Sequence, residues 1–222
     1  MKTIQTLTRR ELVKHVAISG AAVILIQPTL YGTGDDSRWI KYEGNPVYGG
    51  QYGTCFDVCV LLESGTYRMW VSWRPKQSVA ITESKDGIHW SPPEIVLPPE
   101  PESGWENDIN RPVVVHRADG YHMWYTGQAQ GHSKIGYATS PNGRIWKRQF
   151  RNPVLESSVP WEGVAVMCPH VIWDERARTW KMWYSAGEQY EPNAIGYATS
   201  TDGVHWNKHA SNPVLSPDPH KE

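Results

Sequence analysis

The chain has 222 residues, enough for one domain with a sizeable hydrophobic core. Its charge is almost balanced, with 22 Lys and Arg against 23 Asp and Glu, so nothing in the charge indicates binding to nucleic acid or to an acidic membrane. The aromatic content is unusual, with 12 Trp and 11 Tyr but only 2 Phe. Most of these rings are expected in the core, although Trp and Tyr also stack on sugar rings.

The N-terminal segment, residues 1–34, predicts an export signal followed by a linker. A twin arginine within residues 8–14 precedes an apolar run at 16–26, which is shorter than the roughly 20 residues of a membrane-spanning helix. The pattern resembles a twin-arginine signal, with Leu12 at the place usually taken by an aromatic residue or leucine. It implies a periplasmic or extracellular location, with no membrane association beyond export. A short buried helix or strand is the alternative.

From residue 35 the sequence is a threefold repeat, which we assign to one domain over 35–222. Three similar stretches, SKDGIHW, SPNGRIW and STDGVHW, end at Trp90, Trp146 and Trp206. Each copy has three alternating runs rich in β-branched and aromatic residues, and a short fourth run around the repeated stretch, which together predict strands. The three long runs lie at 56–63, 67–73 and 79–84, at 111–117, 121–127 and 135–140, and at 168–175, 180–187 and 195–200.

Four antiparallel strands repeated about every 55 residues are typical of β-propeller blades. The predicted fold is all-β, with four-stranded antiparallel blades at about 45–98, 99–151 and 152–211. The Asp-Gly and Asn-Gly pairs are expected to supply the positive φ angles of a tight hairpin between the third and fourth strands. The tryptophan that follows each pair is expected to pack between adjacent blades.

Four short markers are expected to open successive blades. They are NPVY at 45–48, EIVL at 94–97, and NPVL at 152–155 and 212–215. The last would begin a fourth blade over 212–222, so three blades are complete, whereas closed propellers have four or more. Either the chain is a truncated product of a longer gene, which we favour, or a second chain completes the ring.

The three cysteines indicate neither a disulfide framework nor a zinc cluster. On one extended strand Cys55 and Cys59 would lie about 13 Å apart, too far for a bridge. Their spacing to Cys168 is not that of paired zinc ligands.

The motifs IGYATS and Ser-x-Asp-Gly-x-x-Trp, preceded by KMWYSAG and followed by NPVL, resemble the five-bladed β-propeller glycosidase superfamily. That superfamily includes glycoside hydrolase families 32, 43, 62, 68 and 130. The resemblance covers residues 39–222 and implies a partial five-bladed propeller that hydrolyses or binds a plant or microbial oligo- or polysaccharide, without a cofactor or a metal. A sialidase-like propeller fits less well, because the sialidase Asp-box has a residue between Asp and Gly that is missing here.

In a propeller the site lies where the innermost strands start, together with the loops between second and third strands, here 74–77, 128–134 and 188–193. Asp57 lies at the start of the first inner strand in an apolar stretch, where a charge is costly unless it is paired. The resemblance implies that Asp57 is the base or nucleophile of glycoside hydrolysis. The alternative is a buried aspartate satisfied by backbone N–H groups. Counting back from the Met-Trp pairs puts Arg111 and Cys168 beside it.

The other two acids of family 32 are replaced in this sequence. Asn-Arg-Pro at 110–112 and Met-Cys-Pro at 167–169 stand where that family has Arg-Asp-Pro and Glu-Cys-Pro. We therefore expect Glu162 to be the general acid and Asp108 to orient or tune the pair, with Glu106 close by. A Trp-Glu pair precedes both inner strands, and a packing role with a solvated glutamate is the alternative.

Arg111 and His170 are expected to hold a sugar hydroxyl, a carboxylate or a phosphate. His170 is alternatively a ligand of an axial ion. Further substrate contacts are predicted for Glu106, Trp73, Gln128, His132 and Glu188. Two other functions stay open: phosphorolysis as in family 130, with Arg111 and His170 binding phosphate, and non-catalytic carbohydrate binding, which the missing acids and the incomplete ring favour.

Overall fold

The computed structural model describes residues 39–217. The predicted export signal and linker, residues 1–34, lie outside the described residues. All the strands described below belong to one compact body, Tyr42–Glu222. Between residues 39 and 217, no helix is long and apolar enough to cross a membrane.

The described residues form twelve strands in three consecutive groups of four, here called units 1, 2 and 3. Unit 1 comprises β1 (Cys55–Glu63), β2 (Thr66–Trp73), β3 (Ser78–Ser84) and β4 (Glu94–Leu97). Unit 2 comprises β5 (Asp108–Arg117), β6 (Gly120–Ala129), β7 (His132–Ser140) and β8 (Lys147–Arg148). Unit 3 comprises β9 (Ala165–Asp174), β10 (Thr179–Gly187), β11 (Pro192–Ser200) and β12 (Asn207–Lys208). Short 3-10 helices lie at Gly50–Tyr52, Arg74–Lys76, Pro101–Ser103 and Pro160–Glu162.

Within each unit, consecutive strands pair antiparallel, and one parallel pair between Ser133 and Ala165 joins β7 to β9. The predicted all-β class is therefore confirmed, and all nine long runs are strands. Two details differ. The predicted loop at 128–134 is mostly strand, because the chain reverses tightly at Gln130 and Gly131. The fourth strand follows the repeated tryptophan instead of surrounding it.

The predicted blade starts are wrong for three of the four markers. Leu97, Leu155 and Leu215 pair with Val79, Ile135 and Ile195, in the third strand of the unit that precedes each marker in sequence. Each marker therefore completes the outer edge of its own unit. Residues 212–215 accordingly belong to unit 3 and do not open a fourth unit.

The repeated stretches form tight turns, in which the glycine has the positive φ: 78° at Gly87, 72° at Gly143 and 78° at Gly203. The preceding Asp or Asn does not have a positive φ; its side chain accepts hydrogen bonds from backbone N–H groups of the turn. Asp86 Oδ1, for example, accepts the N–H groups of Ile88 and His89. The turns follow the third strands, so they lie at the opposite end of each unit from the start of its first strand.

Two buried tryptophans join neighbouring units. Trp70 of unit 1 is fully buried, and its Nε1 donates to the carbonyl oxygen of Gly143 in unit 2 at 2.9 Å. The same oxygen accepts Nε1 of Trp146 at 2.9 Å, and the two indoles meet edge to face. Trp124 repeats the arrangement with Gly203 of unit 3. Trp146 and Trp206 thus pack against the preceding unit, as predicted.

Candidate active site

The first strands of the three units, β1, β5 and β9, share an unusual backbone conformation at equivalent positions. Asp57, Arg111 and Cys168 have φ angles of 48°, 54° and 52°. Residues other than glycine rarely adopt these values, which cost about 1–3 kcal/mol each. At Asp57 and Arg111 the first strand also shifts register against the second strand of its unit, so these two residues lie on bulges. Bulges of this kind redirect side chains and are common next to functional sites.

Hydroxyl groups of the preceding unit bind the backbone at two of the three positive-φ positions. Ser72 Oγ accepts the backbone N–H of Arg111 at 2.8 Å, and Thr126 Oγ1 accepts that of Cys168 at 3.1 Å. Both hydroxyls lie two residues after the buried tryptophan of their strand. A Ser or Thr at this place in every copy was a sequence signal that our predictions missed.

The three positive-φ residues line a cleft of about 370 Å³, formed by residues 57–60, 111–113 and 168–170. Arg111 Nε lies 3.3 Å from Asp57 Oδ2, and the Asp57 side chain is 45% exposed. Asp57 is therefore an accessible, paired carboxylate, and the alternative of a buried aspartate satisfied by the backbone is excluded. His170 lines the same cleft and is exposed.

The ion pair between Asp57 and Arg111, followed by a chain of hydrogen bonds, connects Asp57 to a second carboxylate. Arg111 Nη1 donates to Asn110 Oδ1 at 2.7 Å, and Asn110 Nδ2 donates to Asp108 Oδ1 at 3.1 Å and to Gln128 Oε1 at 2.7 Å. On its other side, Asp108 Oδ2 lies 3.8 Å from Nη1 of Arg74. Asn110 was not among the predicted site residues, although an amide beside Arg111 in an apolar strand could have suggested it.

Cys168 brings a thiol to the cleft where units 1 and 2 have charged residues. Burial raises the pKa of this thiol, and the opposing effect of Arg111 is smaller. The group is therefore neutral near pH 7. All three cysteines lie within residues 39–217 and are free.

The catalytic role predicted for Glu162 is wrong, because its side chain is fully buried. Its carboxylate accepts Lys208 Nζ at 2.6 Å, the N–H of Ser158 at 2.7 Å and the hydroxyl of Tyr184 at 2.8 Å. The pKa of Glu162 is lowered overall, because the effect of burial, which raises it, is outweighed by these three contacts. A carboxylate enclosed in this way has no access to a substrate.

The substrate contact predicted for Glu106 is wrong for the same reason. Glu106 is 1% exposed and binds the Tyr125 hydroxyl at 2.6 Å and Arg148 Nε at 2.7 Å. Burial here outweighs the contacts with Tyr125 and Arg148, and the pKa of Glu106 is raised. The Trp-Glu pairs are thus a packing feature of the repeat, with the glutamates buried rather than solvated.

Three further predicted contacts, Trp73, His132 and Glu188, take no part in the hydrogen-bond chain around Asp57. Trp73 Nε1 donates to the carbonyl oxygen of Tyr52 at 2.7 Å. His132 is exposed near the tip of the β6–β7 hairpin, and Glu188 is exposed just after β10. Among residues 39–217, no group of three or more His, Cys, Asp and Glu side chains could hold a metal ion.

Residues 59–218 match the family described as glycosyl hydrolases family 32 N-terminal domain. Two uncharacterised proteins of Mycobacterium tuberculosis, from strains CDC 1551 / Oshkosh and ATCC 25618 / H37Rv, are each 27% identical over 150 residues. The matched region covers 63% of this chain and 48% of each relative, so the chain spans about half the length of the curated relatives it matches.

Solved glycosidase structures share the fold at low sequence identity. Zg3597, a family 117 glycoside hydrolase of the marine bacterium Zobellia galactanivorans, has a TM-score of 0.60 at 17% identity, over 76% of this chain and 59% of its own. A fructofuranosidase of Schwanniomyces occidentalis complexed with fructosylnystose has 0.60 at 18%, over 73% and 35%. A member of the family 130 mannoside phosphorylases, a family said to contain hydrolases of β-1,2 mannosidic linkages in Candida mannan, has 0.57 at 17%, over 74% and 52%.

Proposed function

We propose that the chain acts on carbohydrate at the cleft around Asp57. It belongs to the family of glycosyl hydrolase family 32 N-terminal domains, within the five-bladed β-propeller glycosidase superfamily that its sequence was predicted to resemble. One observation carries the proposal. Asp57 is an accessible carboxylate on a strained bulge, paired with Arg111, in a cleft lined by all three inner strands. Strained backbone is retained mainly where function requires it.

The finer architecture that goes with this function is three blades of a propeller, one for each unit. Sequential antiparallel strands within each unit and the side-by-side packing of inner strands support it. In this arrangement β1, β5 and β9 are the innermost strands, and their starts form the substrate-binding end.

The proposed reaction is hydrolysis of a glycosidic bond by a carboxylate pair. Glycosidases need one carboxyl group as base or nucleophile and a second that protonates the leaving oxygen. Asp57 is assigned the first role, because it is exposed to the cleft and ion-paired with the Arg111 guanidinium. Asp108 replaces the buried Glu162 as the second carboxyl group, since Arg111 and Asn110 connect it to Asp57.

A second candidate, carbohydrate binding without hydrolysis, is favoured by one observation. Arg111 and Cys168 occupy the positive-φ positions equivalent to Asp57, and neither is a carboxylic acid that could protonate a leaving group. If Asp108 does not act as the acid, the cleft can hold a sugar but cannot cleave it.

Asp57→Asn tests the proposal, with fructosylnystose and β-1,2-mannan oligosaccharides as probes. We expect release of reducing sugar by the wild type to fall roughly 10²- to 10⁴-fold in the variant, the range for loss of a general base, while calorimetric binding of the probe persists. The matched control is Asp119→Asn, which changes an exposed aspartate in the turn between β5 and β6. Unchanged hydrolysis in Asp57→Asn contradicts the catalytic role, and binding without any hydrolysis by the wild type supports the second candidate.

A further inference from the structure

The hydrogen-bond chain that links Arg111 to Asp108 continues into the interior of unit 2. Asn110, Gln128 and Ser133 are 1%, 6% and 1% exposed. Gln128 Oε1 accepts Asn110 Nδ2 at 2.7 Å, and Gln128 Nε2 donates to Ser133 Oγ at 3.0 Å. Gln128, for which a substrate contact was predicted, thus has both ends of its amide bound inside the sheet. Any effect of this residue on the cleft passes through Asn110.

The side chain of Asn110 makes contacts of opposite polarity on its two sides. Its Oδ1 accepts Arg111 Nη1 at 2.7 Å, and its Nδ2 donates to Asp108 Oδ1 at 3.1 Å and to Gln128 Oε1. A guanidinium only donates and a carboxylate only accepts, whereas an amide offers both a donor and an acceptor. Asn110 therefore fits between Arg111 and Asp108 in one orientation, and the bond to Gln128 reinforces that orientation.

The other two units show that the sheet does not need these amides. Counting from the positive-φ residues and from the Met-Trp pairs, the places of Asn110 and Gln128 are taken by Phe56 and Arg74 in unit 1 and by Met167 and Gly187 in unit 3. Met167 is fully buried, and β9 still forms with the positive φ at Cys168. Burying an amide costs free energy unless it is hydrogen-bonded. The amides of unit 2 are therefore explained by Arg111 and Asp108, which have no equivalent pair in units 1 and 3.

We propose that Asn110 and Gln128 are positioning residues, which hold the Arg111 guanidinium against Asp57 and fix the Asp108 carboxylate. Both amides are buried, so they act through Arg111 and Asp108 and not by touching a sugar. The effect on turnover rests on the proposed function, whereas the placement of Arg111 can be measured without a substrate. Such placement matters because a displacement of about 1 Å can lower a rate roughly 100-fold.

Two single substitutions test the positioning role in turnover. Asn110→Met places the unit 3 residue in unit 2, and Gln128→Met removes the second amide at nearly the same side-chain length. With a probe that the wild type hydrolyses, kcat should fall roughly 10- to 100-fold in Asn110→Met and less in Gln128→Met, while KM changes little. The smaller effect of Gln128→Met follows from its place one hydrogen bond farther from Arg111.

The double variant Asn110→Met/Gln128→Met separates positioning from stability. Each single substitution leaves a buried polar group of the other amide unpaired, and removing both amides removes that penalty. Urea unfolding should therefore show the double variant to be at least as stable as Asn110→Met, while its kcat stays as low. A purely structural role predicts the opposite, because activity would then recover together with stability.

The thiol of Cys168 reports the position of Arg111 without any substrate. Burial raises the pKa of this thiol, and Arg111 beside it acts in the opposite direction. Iodoacetamide reacts with the thiolate, so the pH at which labelling reaches half its maximal rate follows that pKa, whereas altered access changes the maximal rate. If Arg111 is displaced in Asn110→Met, this midpoint should move to higher pH, and labelling at pH 8 should slow about 3- to 10-fold relative to its maximum. Peptide mass spectrometry distinguishes Cys168 from Cys55 and Cys59.

His122→Phe is the matched control for the loss of a buried hydrogen bond in β6. Its Nδ1 lies 2.6 Å from the Tyr137 hydroxyl oxygen, and it is six residues from Gln128, about 20 Å along the strand. This variant should lose stability but keep the kcat and the labelling midpoint of the wild type.

The two readouts can each overturn the proposal. An unchanged midpoint in Asn110→Met shows that Arg111 keeps its place without the amide. A shifted midpoint with unchanged kcat shows that this placement does not matter for turnover. A wild type that cleaves none of the probes contradicts the proposed hydrolysis instead, and the midpoint then decides the positioning role alone.

Discussion

Replacing Lys208 by methionine should destabilise the protein far more than the position of this residue on a two-residue strand suggests. Lys208 Nζ lies 2.6 Å from Glu162 Oε2, and the glutamate is fully buried. The substitution keeps the aliphatic length and leaves the carboxylate without its cation. Removing one partner of a buried pair costs about 3–5 kcal/mol. Because the bonds from Ser158 and Tyr184 remain, we expect the lower end, about 3 kcal/mol, or a melting temperature lower by roughly 6–12 °C.

The pH dependence gives this prediction a second, independent readout. In the wild type the pKa of Glu162 is lowered, so its stabilising contribution is present above the ordinary value near 4.3 and is lost as pH falls through the folded-state pKa. Without Lys208, burial should dominate and raise the pKa of Glu162. Acidification then neutralises a costly charge, and the stability deficit of the variant should shrink between pH 7 and pH 4.

Urea unfolding followed by tryptophan fluorescence measures both effects. Lys134→Met is the matched control, because Lys134 and Glu156 form an equally short pair of 2.7 Å that is far more exposed, and such pairs contribute about 0–1 kcal/mol. A Lys208→Met deficit no larger than that of the control, or one that does not shrink on acidification, would refute the reasoning.

Two further substitutions test the contacts between units. Gly143→Ala places a methyl group 2.8 Å from the buried Trp70 ring, whereas Gly131→Ala, at a similar positive φ, meets nothing within 4 Å. Backbone strain should lower the free energy of unfolding of both variants by about 1–2 kcal/mol. Overpacking should lower that of Gly143→Ala by about 1–3 kcal/mol more. Equal melting temperatures of the two variants would contradict this expectation. Ser72→Ala removes the acceptor of the Arg111 N–H and should lower the free energy of unfolding in urea by about 1 kcal/mol. A variant as stable as the wild type would show that the hydroxyl does not hold the bulge.

The strands, and the equivalence of the three positive-φ positions in the repeat, could be predicted because both depend on the local sequence pattern. Alternation located β1, β5 and β9, and counting from the Met-Trp pairs aligned Asp57, Arg111 and Cys168 before their shared φ angles were known. Both inferences need only the spacing within one copy of the repeat, and spacing is what a sequence records directly.

The burial of Glu162 could not be predicted in the same way. Its cation, Lys208, is 46 residues away on a strand of two residues, too short to show any alternation. The marker segments failed for a related reason, because Leu155 and Leu215 pair through single bridges that have no pattern of their own. Contacts that single residues make across a unit leave no periodic pattern in the sequence, so only the structure reveals them.

The carbonyl of Gly143 receives two indole N–H groups, one from its own turn and one from the unit before it. Opening that turn therefore leaves the buried Nε1 of Trp70 in unit 1 without its acceptor. The energetic consequence is cooperativity: neither unit can unfold locally without destabilising the other, and the same holds between units 2 and 3 through Gly203. A shared acceptor of this kind makes a linear array of similar sheets behave as one folding unit.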